Sequence, residues 1–123
     1  MSHMQQTIST YVAGWQEGNR EKILSCLDPA CVIIEAHGST FRGKDMVARW
    51  VDSWFHEGNI VNSWKILDLH EADDSCFFEW IFECTHEGKV AALEGASLAR
   101  FRDGAIISMR EYATVAPRHE WDG

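Results

Sequence analysis

Residues 76–115 read CFFEWIFECTH, EG, KVAALEGASLARFR, DG and AIISMREYATV, and this stretch decides the fold. Its three long segments are rich in aromatic and β-branched residues, and the breaks at Glu87-Gly88 and Asp103-Gly104 are two-residue turn formers. The spacing predicts antiparallel strands over roughly Cys76–His86, Lys89–Arg102 and Ala105–Val115. Upstream, Val61–Glu71 is a fourth strand of the same meander, joined through Ala72-Asp73-Asp74. Parallel pairing would need crossovers for which the chain has no residues, so antiparallel hairpins are expected throughout.

Before the meander the periodicity changes. Ile8, Tyr11, Val12 and Trp15 recur at helical spacing between Thr7 and Gly18. A second short helix is expected from about Arg20 to Leu27, stopped by Asp28-Pro29 because the residue before proline resists helical torsions. Cys31–His37 carries Val32, Ile33 and Ile34 and reads as a strand closed by Gly38, leading through Ser39-Thr40-Phe41 into a turn. Lys44–Glu57 is helical again, with Met46, Val47, Trp50, Trp54 and Phe55 on one side. Helix, helix, strand, helix and a four-stranded meander give an α+β class. A strongly curved, mainly antiparallel sheet wraps three N-terminal helices as a cone with one deep pocket.

The chain has 123 residues, so one domain is expected over residues 5–123, with Met1–Met4 resembling an expression scar. Eleven basic against nineteen acidic residues give a formal charge of −8, which argues against nucleic acid and membrane surfaces as partners. The expected partners are a small, mostly apolar organic ligand and a second copy of the chain. Cys26, Cys31, Cys76 and Cys84 include no C-x-x-C pair and read as reduced thiols of a cytoplasmic protein. Six tryptophans exceed what a small core readily fills, so some line a cavity or a dimer face. No nucleotide-binding, nucleophile-elbow or metalloprotease motif is present, and no cofactor and no metal are expected.

Several strings are similar to those of the SnoaL-like branch of the nuclear-transport-factor-like superfamily. They are Glu35-Ala36-His37-Gly38, Phe41-Arg42-Gly43, Arg49-Trp50, Phe78 to Cys84, Glu94 to Leu98, Phe101 to Gly104 and Met109-Arg110-Glu111-Tyr112. The resemblance implies a cone-shaped α+β fold and a family that includes isomerases, cyclases, dehydratases, epoxide hydrolases and non-enzymatic binders. Against ketosteroid isomerases, the general base falls at or beside Glu35, Ser97 stands where the oxyanion-hole acid would be, and Tyr11 is the candidate donor of the first helix. Against limonene epoxide hydrolases, Glu111 and Glu83 match the two carboxylates, while Ile81 stands where their arginine lies.

The candidate catalytic residues are therefore Glu35, His37, Glu79 and Glu111. Carboxylates gathered in a desolvated hollow cannot all ionise, so one serves as acid and another as base, with His37 as relay. Ser97 is a candidate donor, Trp50, Trp54 and Trp80 candidate wall residues, and Glu83 a further ligand-facing carboxylate. The sign of one alternation stays open: either Phe77, Glu79, Ile81 and Glu83 face the hollow, or Phe78, Trp80, Phe82 and Cys84 do. Three functions are compatible with the residues: general acid/base catalysis, ligand binding without catalysis, and a structural homodimer. An enzyme requires two carboxylates within about 6 Å in a deep cavity. A binder requires them paired to cations.

Overall fold

In a computed structural model describing residues 1–123, α1 (His3–Glu17) and α2 (Arg20–Leu24) lead into β1 (Leu27–Ile34). β2 (Thr40–Arg42), α3 (Lys44–His56) and four strands follow: β3 (Ile60–Ala72), β4 (Ser75–His86), β5 (Lys89–Arg102) and β6 (Ala105–Thr114). Ser2 caps α1 by accepting from the Gln5 amide, and Gly18 ends it at φ 65°, so the first turn lies within the segment that the sequence reading set aside. The β4–β5 and β5–β6 hairpins turn on Glu87-Gly88 and Asp103-Gly104, all four residues at positive φ, as the twist of two-residue hairpins demands.

The six strands form one sheet in the order β2-β1-β6-β5-β4-β3. All neighbours are antiparallel except β1 and β6, which run parallel with Ile33 opposite Met109. That parallel pair departs from the expectation of antiparallel pairing throughout, because its crossover consists of everything between β1 and β6. Register shifts at Val61/Ser63, Ile66/Asp68 and Arg100/Phe101 bend the long strands over the helices. The core joins Ile8, Tyr11 and Val12 of α1 and Val47 and Val51 of α3 to Ile33, Phe78, Ala99 and Met109 of the sheet.

Three boundaries differ from the sequence reading. The second helix stops at Leu24, and β1 begins at Leu27, running through Asp28-Pro29 with a register shift before Val32. β1 also ends at Ile34, which places Glu35 and His37 on the connection to β2 instead of on one strand face. That connection is not simply a turn, since Thr40–Arg42 pairs back onto β1. The four cysteines are free and buried. No helix is long and apolar enough to cross a membrane.

Candidate active site

Between the helices and the inner face of the sheet lies a cavity of about 530 Å³. One wall is built from Trp15 of α1, Trp50 and Trp54 of α3, and Phe41 of β2. Phe41 stacks flat on Trp50 at 4.1 Å, and Trp15 packs against Trp50 and Trp54 at 5.0 and 5.6 Å. The opposite wall holds Trp64 of β3 with Trp80 and Phe82 of β4, whose rings meet edge to face. The indoles brace one another around the cavity and leave it open. Trp64 is buried, and its indole N–H has no partner within the protein.

Two carboxyl groups face this aromatic space. Glu111 follows Met109 on the inner face of β6 and keeps part of its area open, but only toward the cavity. Burial, reinforced by the charge of Glu35, pushes its pKa up to about 8, against a hydrogen bond from Ser97 that pulls the other way. Ser97 is fully buried on β5, directly across from Glu111, and its Oγ accepts from the Trp80 indole N–H at 2.9 Å. With that oxygen engaged as acceptor, the Ser97 proton is left to donate to Glu111.

Glu35 enters from the end of β1. Burial raises its pKa, opposed by the charges of His37 and His86. His37 Nε2 stands 3.5 Å from Glu35 Oε1, with the histidine side chain 71% exposed against 21% for the glutamate. Tyr11 of α1 lies within the field of both carboxylates, and burial, then Glu111, hold its phenol protonated well beyond the usual tyrosine range. No lysine or arginine lines the cavity, and the only ion pair at either carboxylate is that of Glu35 with His37.

Residues 8–109 match the SnoaL-like domain family. The chain belongs to that family. No curated protein matches it. Among solved structures, it is similar to a protein of ketosteroid isomerase-like fold from Catenulispora acidiphila in complex with trimethylamine, at 21% identity and TM-score 0.75, covering 86% of this chain and 83% of that one. An LEH-like epoxide hydrolase of M. tuberculosis gives TM-score 0.83 at 14% identity, over 92% of this chain and 84% of that one. A protein of unknown function with cystatin-like fold from Methylobium petroleophilum gives 0.72 at 25% identity, over 96% and 79%. The first two likenesses, below 25% identity, are likenesses of fold.

Within this SnoaL-like domain the structure brings together Glu35, Glu111, His37, Trp50, Trp54 and Trp80, with Ser97 directly behind Glu111. It does not bring in Glu79 or Glu83. On β4 the inward residues are Phe78, Trp80, Phe82 and Cys84, so both glutamates fall on the outer face of the sheet. Glu79 lies there in a shallow groove beside Phe77, Tyr112 and Arg118. The sequence reading overlooked His86, which shares the inward parity of Trp80 and Cys84 and reaches the cavity mouth. Strand parity signals it as soon as the inner face of β4 is known.

Proposed function

We propose that this SnoaL-like protein is an enzyme that transfers a proton on a small, mostly apolar organic molecule, using only its own side chains. The carrying observation is one aromatic cavity in which a carboxyl that keeps its proton to about pH 8, Glu111, faces a second carboxyl, Glu35, and a buried phenol, Tyr11. Glu35, with two imidazoles favouring its ionised form, is the base. Glu111 and Tyr11 are the donors, their O–H groups meeting negative charge as it develops on a substrate oxygen. Isomerisation uses the base and both donors in turn; cyclisation, dehydration and epoxide opening use the same acid on a leaving or ring oxygen. His37, at the mouth, returns the Glu35 proton to water. Trp50, Trp54 and Trp80 shape the apolar wall, and Ser97 positions Glu111. The absence of a lysine or arginine beside the carboxylates favours catalysis over simple binding.

The test is proton–deuteron exchange and turnover on a panel of small cyclic β,γ-unsaturated ketones and epoxides. The wild type is expected to act on at least one class, and Glu35→Gln and Glu111→Gln to lose about 10²–10⁴-fold. A wild type no faster than the double variant on the whole panel would reduce the chain to a binding module. The outer sheet face supports a working homodimer, and the four free thiols support a reducing compartment such as the cytoplasm.

A further inference from the structure

The cavity has an unbalanced charge. Its titratable lining comprises Tyr11 from α1, Glu35 and His37 from the β1–β2 connection, Cys84 and His86 from β4, and Glu111 from β6. The contributions of β2, α3, β3 and β5 are Phe41, Trp50, Trp54, Val61, Trp64, Ala91 and Leu93, none of which carries charge. The two imidazoles stand where solvent reaches them. Four of the lysines and arginines are paired elsewhere, Arg20 with Asp52, Lys22 with Glu17, Arg102 with Asp28 and Arg118 with Glu94, and none of the rest lines the cavity.

A carboxylate in such a space depends for its ionised form on solvation through the open cavity and on the exposed imidazole of His37 at 3.5 Å. A neutral ligand that fills the cavity removes solvation from Glu35 and leaves it only that exposed imidazole. An anion adds repulsion. A cation replaces the lost solvation with direct attraction, and the aromatic walls add to it, because indole faces attract alkylammonium groups and their methyls at once. Eight tyrosine, phenylalanine and tryptophan side chains line the cavity, and its volume is that of a site for a small molecule.

We infer that the substrate carries a positively charged nitrogen, as a protonated tertiary amine or a quaternary ammonium, seated between Glu35 and the rings of Trp15, Trp50 and Trp54. This inference rests on the acid/base reading of the cavity and narrows its substrate class. The two are chemically consistent, since a positive charge beside the carbon that loses a proton also stabilises the carbanion formed there.

Choline and 3,3-dimethylbutan-1-ol have the same shape and differ in one charge, so they serve as probes. By titration calorimetry at pH 7 the wild type is expected to bind choline about tenfold or more tightly than the alcohol. In Glu35→Gln the preference is expected to fall to about twofold or less while the alcohol still binds, which shows the cavity intact. Equal affinities in the wild type overturn the inference, as does a preference that survives in Glu35→Gln, or the failure of choline to bind at about 10 mM. A wild type that exchanges protons on neutral ketones but prefers the alcohol loses this inference alone. One that prefers choline but exchanges no proton loses the enzymatic reading alone.

Discussion

The Glu111 carboxyl keeps its proton to about pH 8 because burial inside an aromatic shell disfavours its ionised form, and the charge of Glu35 adds to this. Its pKa in the folded chain lies above the ordinary 4.5, so the native state binds this proton more tightly than the unfolded state does. The stability it contributes is therefore fully present below about pH 4.5 and is lost as pH rises toward 8. Glu111→Gln, which cannot ionise, is expected to flatten that slope and to stabilise the fold at pH 8 relative to wild type by on the order of a few kcal/mol, seen as a higher Tm. Thermal melts of both proteins at pH 5 and pH 8 check this, and an unchanged slope would remove Glu111 as the buried acid. In the proposed reaction the same group is expected to set the alkaline limb of turnover. Ser97→Ala removes the hydrogen bond that lowers the Glu111 pKa, so that limb is expected to move to higher pH. The indole N–H of Trp80, left without its acceptor, is expected to cost about 1–3 kcal/mol in a denaturant melt of the same variant.

At the level of elements, Gly14 shows how tightly the two leading helices meet. A Cβ there would lie 2.8 Å from Ile23 Cγ1 and 2.9 Å from the Ile23 backbone nitrogen. Gly14→Ala is expected to cost about 1–3 kcal/mol of overpacking, outweighing the roughly 1 kcal/mol that alanine offers a helix, with a lower denaturant midpoint as the readout. The helices and hairpins were legible in the sequence because each depends on local chemistry: a 3.6-residue apolar repeat in α1 and α3, and glycine at the positive-φ positions 88 and 104. The face of β4 was not. Its outer residues Phe77 and Ile81 are as apolar as its inner Phe78 and Phe82, so alternation gave a period without a direction. That ambiguity misplaced Glu79 and Glu83, whereas Glu111 was reached through the resemblance of Met109-Arg110-Glu111-Tyr112 to the epoxide hydrolase string. Glu35 was recognised as part of the site, but the strand ends one residue before it, because the chain must turn back at Gly38 to bring β2 against β1.

For the molecule as a whole, the outer face of the sheet exposes Phe77, Ile81 and Tyr112 at 45%, 39% and 55% of their area. They lie on neighbouring strands, with Ala96 and Leu98 between them on β5. Such a patch is the natural surface for a second copy. Ile81→Lys combined with Phe77→Glu is expected to turn a dimer into a folded monomer by size exclusion with light scattering, and a wild type that elutes as a monomer would refute the assembly. The parallel seam between β1 and β6 has a different consequence, one for biosynthesis. It brings Leu27 opposite Ile106, so the strand that leads into Glu35 waits for the strand that bears Glu111. A chain emerging from the ribosome can form its helices and first hairpins early, yet the two carboxyls proposed as its acid and base do not share a cavity until β6 has left the exit tunnel and zipped into the gap.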